Sequence, residues 1–336
     1  MNPNVTYRSY QGTPDILKML AVHEACRETD CVDHYSVAYR VPNMTSLEYE
    51  ADVALSMTDG TDRNVLVAEI DGMMVAHARI EWWREWDNER KGDKFAYLIR
   101  AWVAPEWRKN GIGSYLLQWG EGRARELDSN QAIQGELAAN ATDNEINAIR
   151  LLEKAGYTIR FLSPELAYDD VSVIPAPVTP KGYEVTPLDA IDHRAVAEAL
   201  VAANAHPDLT VSQLEEWITK EAPGYLGFIE GCDPTISRTA WKDGQVVGLY
   251  LCRRKDNVGD VANVAVAREH RMLGLSRALM FHCLHAMRET GIERARVFTG
   301  IGADRDAPPE GPYKMYLGFG FGLLTFHNRY RKSMAG

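Results

Sequence analysis

Only five cysteines occur in 336 residues, and they are scattered, so a disulfide framework is excluded and reduced thiols are expected. No apolar run approaches the roughly 18 residues of a membrane span. The opening Met-Asn-Pro-Asn-Val-Thr lacks the charged and then apolar order of a secretory leader, so a soluble cytoplasmic protein is expected. Basic residues are in deficit: 37 Lys and Arg against 47 Asp and Glu leave a formal charge of −10. That balance argues against general nucleic-acid binding, which needs a basic face for phosphate contacts, and is compatible with cationic amines. Metal-ligand spacing is missing as well. His23, Cys26, Cys31 and His34 stand close together but match no standard finger, and a helical pattern from Ile16 to Thr29 accounts for much of the group, so no metal is expected.

What remains is globular composition, 46% hydrophobic and 25% charged, in a chain long enough for two domains of ordinary size. Its strongest chemical signal is Val103-Ala-Pro-Glu-Trp-Arg-Lys-Asn-Gly-Ile-Gly113. Phe95 to Val103 is aromatic and branched and reads as a buried strand. Ile112, Tyr115, Leu116 and Trp119 recur at i, i+3, i+4 and i+7, one face of a helix. A strand, a glycine turn and a helix follow in order, which aims the unpaired first N–H groups of the helix into the turn, where they can bind an anion. Gly111 and Gly113 allow close approach to the main chain, and Arg108 and Lys109 add positive charge. The spacing fits neither the Gly-x-Gly-x-x-Gly dinucleotide fingerprint nor the P-loop.

The same unit occurs twice. In the first half, strand patterns at Val5–Tyr10, Asn64–Ile70, Met73–Trp83, Phe95–Val103, Ala132–Ala139 and Tyr157–Tyr168 alternate with helical ones at Pro14–Arg27, from Thr45 to Met57, from Ile112, and at Asn144–Lys154. The second half repeats them: strands at Tyr183–Pro187, Thr239–Trp241, Val246–Arg253, Val261–Val266, Val297–Ile301 and Gly322–Arg329, helices at His193–Ala205, Ser212–Glu221, from Leu275 and from Pro312. Each half has an Asp-Gly hairpin turn, Asp71-Gly72 and Asp243-Gly244, and an Arg-x-x-Gly loop. Gly111 precedes Gly156 by 45 residues, and Gly274 precedes Gly320 by 46. The first copy carries an insertion around Trp82, Trp83 and Trp86, an aromatic group suited to a cationic or ring-bearing amine. Between the copies, Ile-Pro-Ala-Pro-Val-Thr-Pro-Lys cannot sustain a helix or central strand. The expected division is 1–170, a linker at 171–182, and 183–336.

The loop, read with its strand and helix, resembles the acetyl-CoA motif of the GCN5-related N-acetyltransferases, the GNAT superfamily. The resemblance extends to a later Asn-x-x-Ala-x-x-x-Tyr-x-x-x-Gly-Phe motif. Asn147 keeps the Asn in the first copy, where Leu152 replaces the Tyr; Tyr316 keeps the Tyr in the second, which lacks the Asn. A tandem GNAT chain of class α/β (α+β) is implied, each domain a mixed, mostly antiparallel sheet flanked by helices. The implied reaction is direct acyl transfer from acetyl-CoA to a primary amine, most simply that of a small molecule, without metal, nucleic acid or membrane. A CoA sensor or scaffold with a degenerate copy is the alternative, and another acyl donor such as succinyl-CoA is a third reading.

Site roles follow from the resemblance. The pyrophosphate loops are Arg108, Lys109, Asn110, Gly111, Ile112, Gly113 and Ser114, and Arg271, Met272, Leu273, Gly274, Leu275 and Ser276. The strand ends that accept pantetheine are Ala101, Trp102 and Val103, and Ala265 and Val266, with Asn147 on the pantetheine arm. Tyr316 is the expected acid for the thiolate, since a phenol is protonated at neutral pH. No carboxylate lies inside either strand before the loops, which leaves Asp260 and Glu136 as candidate bases. Gly113 leaves more room than Ser276, and Lys109 adds a charge that Met272 does not, so the first copy is expected to hold CoA more tightly.

Overall fold

The computed structural model describes residues 4–33, 46–87, 92–129, 131, 135–188, 192–308 and 310–334. His34, Thr45 and residues 88–91 and 132–134 lie outside these. The elements, in chain order, are β1 (Thr6–Ser9), α1 (Thr13–Thr29), α2 (Ser46–Ala54), β2 (Val65–Ile70), β3 (Met73–Asp87), β4 (Gly92–Val103), α3 (Ile112–Asp128), β5 (Glu136–Thr142), α4 (Ile146–Lys154) and β6 (Thr158–Tyr168). The second half contributes β7 (Glu184–Pro187), α5 (His193–Asn204), α6 (Val211–Glu221), α7 (Leu226–Glu230), β8 (Arg238–Lys242), β9 (Gln245–Lys255), β10 (Val258–Val266), α8 (Leu275–Glu289), β11 (Arg294–Phe298), α9 (Gly311–Phe319) and β12 (Gly322–Ser333). Both hairpins turn on the Asp-Gly pairs, with Asp71 at φ 51° and Gly72 at 78°, and Asp243 at 50° and Gly244 at 77°. Positive φ at both central residues matches the right-handed twist of the flanking strands.

Two compact units result, and neither is contiguous. Unit 1 comprises Met1–Ser163, Gly300–Pro308 and Thr325–Gly336; unit 2 comprises Pro164–Thr299 and Pro309–Leu324. In unit 1 the strand order is β1-β2-β3-β4-β5-β12; only β4 and β5 run parallel. Unit 2 has the equivalent order β7-β8-β9-β10-β11-β6, with only β10 and β11 parallel. The last strand of each unit therefore comes from the other half of the chain, where the sequence repeat predicts that each copy closes its own sheet. Alternation along a strand says which side is buried and not which edge it joins. The proline-rich stretch is not a free spacer: Thr179 Oγ1 lies 2.9 Å from His282 Nε2, and the Pro175 carbonyl 3.0 Å from His285 Nε2, both histidines on α8.

Each face of the unit 1 sheet is covered. Ile16, Met19, Val22 and Cys26 of α1 pack with Tyr49 and Val53 of α2 on one side. On the other, Leu117 and Ala124 of α3 and Leu152 of α4 pack on Ile80, Tyr97, Ile99, Leu137 and Ala139. Each such aliphatic side chain contributes about 1.5–3 kcal/mol on full burial. Among the described residues no helix is long and apolar enough to cross a membrane.

Candidate active site

The loop between β4 and α3 has the same backbone in both copies. Lys109 and Gly111 stand at φ 64° and 83°, and Met272 and Gly274 at 60° and 82°. Glycine suits this left-handed position because it has no Cβ to clash with the next carbonyl. Gly111 is the N-cap of α3 and supplies no side-chain cap; the Tyr115 N–H donates to the Gly111 carbonyl at 3.0 Å. The N–H groups of Ile112, Gly113 and Ser114 precede that bond and have no acceptor within the helix. They face the turn, with Lys109 and Asn110 exposed beside them.

Arg108 braces this turn. Its Nε donates to the Val103 carbonyl at 3.1 Å, and its two terminal nitrogens donate to the Asp30 carboxylate at 2.6 and 2.8 Å. Burial opposes its charge, yet Asp30 and the Cys26 contact hold its pKa above the ordinary value. Arg271 repeats the brace: Nε donates to the Val266 carbonyl at 2.8 Å and Nη2 to the Ala203 carbonyl at 2.8 Å. Positive potential at the loop therefore comes from backbone dipoles and Lys109 more than from a free guanidinium.

The loop opens on a cavity of about 380 Å³, whose walls include Ala101, Trp102, Val103, Gly113, Asn140 and Asn147. Its origin is the way the two parallel strands part. Their register runs only from Ala96↔Glu136 to Leu98↔Ala138, whereas β4 continues to Val103 and β5 to Thr142. Neighbouring residues on a strand face opposite sides, yet Ala101 and Trp102, and likewise Ala139 and Asn140, all line the cavity. The cavity thus passes between β4 and β5, through the sheet. Cys26 closes it on the α1 side; its Sγ contacts the Val103 carbonyl at 3.2 Å, and burial pushes its thiol up to about 11.

On that side the sheet carries a buried polar group. The His23 and His77 rings flank Trp102 at centroid distances of 4.5 and 5.0 Å. Burial, followed by Arg79, pushes His77 down to about 3, although a backbone hydrogen bond at Met19 acts the other way. Arg79, 1% exposed, bonds Asp52 and lies 3.5 Å from Glu81; Arg100 lies 3.3 Å from Glu81 and 3.8 Å from Asp52.

The other sequence candidates are not gathered here. Glu136 receives Lys94 Nζ at 2.7 Å and lies opposite Ala96, before the strands part. Asp260 lies opposite Arg253 and Arg296, about 20 Å along β10 from Val266 at roughly 3.3 Å per residue. Tyr316 is 2% exposed and packs edge-on to Phe319 and Phe321 at 6.3 and 5.8 Å, with its pKa raised by burial and then by Cys252. At the start of the helix after the second loop, Ser276 Oγ is 2.6 Å from Tyr250 Oη and 3.2 Å from Met315 Sδ, and Arg277 Nη1 donates to the Gly318 carbonyl at 3.0 Å. Trp82 packs against the α3 and α4 core while Trp83 is 40% exposed, so they take opposite faces of β3; the side chain of Trp86 lies outside the description.

Asp30, Asn140, Asp52 and Glu81 escaped sequence reasoning. Asp30 is 78 residues from Arg108 and Asp52 is 27 from Arg79, and no spacing rule links residues brought together by the sheet. Glu81 had one available signal: it stands two residues from Arg79, on one side of a strand.

Compared by sequence, no curated protein matches the chain. Among solved structures, a GCN5-related N-acetyltransferase from Sphaerobacter thermophilus is 20% identical, with a TM-score of 0.70 over 99% of this chain and 97% of its own. A tandem GNAT protein from the clavulanic acid biosynthesis pathway, solved without acetyl-CoA, is 15% identical, with a TM-score of 0.66 over 99% of both chains. These likenesses establish the tandem fold. The acetyltransferase (GNAT) family pattern matches residues 29–157 and 196–319, once in each half, and the chain belongs to that family.

Proposed function

We propose that unit 1 is an acetyl-CoA-dependent N-acetyltransferase acting on a primary amine, with direct transfer while both substrates are bound. The observation that carries this reading is the cavity between β4 and β5 beginning at the glycine loop. The residues fit CoA. The first N–H groups of α3, with Lys109 nearby, suit a pyrophosphate, and Gly111 has open space where a Cβ would stand. Pantetheine would lie along Ala101 to Val103, with Asn140 and Asn147 offering amide groups across the gap. Bound there, acetyl-CoA supplies an activated acyl group whose transfer forms an N–C bond and breaks a C–S bond, one proton leaving the amine and one reaching sulfur.

The protein's contribution on this reading is mainly positioning. The Arg108 brace holds the strand end and loop together, so the acyl group and the amine meet in one gap. Leu117, Ile99 and Leu152 keep the α3 and α4 side of the cavity dry. Unit 2 retains the loop backbone, but where unit 1 has Gly113 it has Ser276, whose hydroxyl contacts Tyr250 and Met315, and where unit 1 has Lys109 it has the uncharged Met272, which favours unit 1 as the working copy.

The test is thiol release from acetyl-CoA across an amine library, with product mass measured in parallel. Amine-dependent release with a gain of one acetyl group per product is expected. Tight CoA binding with no turnover of any amine would leave a sensor and sink the proposal.

A further inference from the structure

Two cations on the wall of the unit 1 cavity have no part in the proposed transfer: Arg150 and Lys154, both on α4. They share a helix face with Asn147 and Leu151, because residues three, four and seven apart lie together on a helix. That face stands against the glycine turn, since a Cβ at Gly113 would lie 3.3 Å from Leu151 Cδ2. Arg150 and Lys154 therefore flank the mouth that begins at Lys109 and the first N–H groups of α3.

No acid holds either of them. Among the described residues the side chains of Arg150 and Lys154 make no ion pair or hydrogen bond, and both are exposed. The acids that line the cavity are engaged elsewhere. Asp30 takes both terminal nitrogens of Arg108, and Glu145 Oε2 accepts from the Thr142 N–H and Oγ1 at 2.7 and 3.0 Å. The helix dipole accounts for only one of the two cations: Lys154 is in the last turn of α4, where positive charge is favoured, and Arg150 stands a turn earlier. In a chain of net charge −10, cations gathered at one mouth with no acid against them draw a polyanion there.

The repeat supplies an internal comparison. Counted back from Gly156 and Gly320, the places of Arg150 and Lys154 fall to Lys314 and Gly318 of α9, and Met272 stands for Lys109. The second copy thus keeps one cation of three, and the full set belongs to unit 1. A pyrophosphate on the α3 start and Lys109 leaves Arg150 and Lys154 for another anion. CoA carries one, the phosphomonoester on its ribose 3′-oxygen; such a group has about −1.5 to −2 charge at pH 7 and three acceptor oxygens. A guanidinium fork and an ammonium point charge both suit it.

We infer that Arg150 and Lys154 bind the ribose 3′-phosphate of the acyl-CoA donor and make unit 1 selective for CoA over thioester donors that lack this phosphate. The inference rests on the reading of unit 1 as a CoA site and adds a second phosphate subsite to it.

The experiment uses the full chain and calorimetry with CoA and with 3′-dephospho-CoA, which keeps the pyrophosphate, pantetheine and thiol. CoA is expected to bind about tenfold or more tightly. The same ratio should appear in KM for the two acetyl thioesters, with kcat little changed, because the phosphate is remote from the reacting carbon. Arg150→Gln and Lys154→Gln should each weaken CoA severalfold and leave dephospho-CoA nearly unchanged, and in the double variant the two ligands should bind about equally. Arg150→Lys restores part of the preference. The dephospho-CoA affinity reports in each variant that the fold survives. Equal affinity of the unmodified chain for the two ligands would overturn this inference and leave the CoA reading standing. So would a preference that outlasts the double variant, or equal weakening of both ligands, which would put the cations on the pyrophosphate instead. Absence of CoA binding by the unmodified chain would overturn both.

Discussion

Arg108 and Asp30 form a two-point ion pair, 2.6 and 2.8 Å, that fastens the end of α1 to the glycine loop. Because Arg108 also holds the Val103 carbonyl, one guanidinium joins three elements at the mouth of the cavity. Breaking the pair is expected to cost about 1–3 kcal/mol, since the remaining partner is left half-buried and unsatisfied. Arg108→Met and Asp30→Asn should both lower the melting temperature and weaken CoA binding about tenfold. If Arg108 instead served as a direct phosphate ligand, Asp30→Asn would release it and CoA would bind more tightly, an outcome that calorimetry would expose.

Gly111 and Gly274 share a left-handed backbone, φ 83° and 82°, with open space where a Cβ would be. Alanine at either position should therefore cost only the backbone strain, about 1–2 kcal/mol. Glutamate adds an anion to the same strain. Gly111→Glu is expected to abolish measurable CoA binding, while Gly274→Glu shows a similar loss of stability and far less loss of CoA. Equal loss of CoA in the two would count against unit 1 as the binding copy.

Gly113 and Ser276 occupy equivalent places with different neighbours. A Cβ at 113 would lie 3.3 Å from Leu151 Cδ2, so Gly113→Ser should change stability by less than about 1 kcal/mol while narrowing the cradle. A severalfold weaker CoA affinity is expected. Ser276→Gly loses the hydroxyl contact to Tyr250, about 1 kcal/mol in thermal or urea unfolding. A stable Gly113→Ser protein with unchanged CoA affinity would show that this position does not shape the cradle.

His77 gives the fold an acid sensitivity. Its folded pKa is pushed down to about 3 by burial and Arg79, against about 6.5 in the unfolded chain. The unfolded state therefore takes up the proton first as pH falls. Stability from this site is complete above about pH 6.5 and is lost between there and about pH 3, at up to about 1.4 kcal/mol per pH unit. His23, also lowered by burial, acts in the same direction. His77→Gln should flatten urea stability between about pH 6.5 and 4.5, and an unchanged slope would rule the ring out as the source.

Much of this was legible in the residues. The two Asp-Gly turns, the two Arg-x-x-Gly loops and their nearly equal distances to Gly156 and Gly320 are local signals. Local signals survive in sequence because a turn or helix start depends on residues within a few positions. The polar group below the loop was not legible. His77 and Trp102 meet only because β3 and β4 pair in register, and Arg329 reaches Asn140 from 189 residues away. Tyr316 illustrates the reverse limit: its motif position is clear, whereas its burial between Phe319 and Phe321 is a matter of packing.

By itself the sequence determined the tandem α/β repeat, the two glycine turns and the order of strands and helices, because backbone conformation and hydrophobic period are written within short windows. Only the tertiary structure decided which strand closes which sheet, that β4 and β5 part to leave a passage, and which arginines stand beside it. Those outcomes depend on strand pairing between distant segments, for which alternation along one strand carries no address.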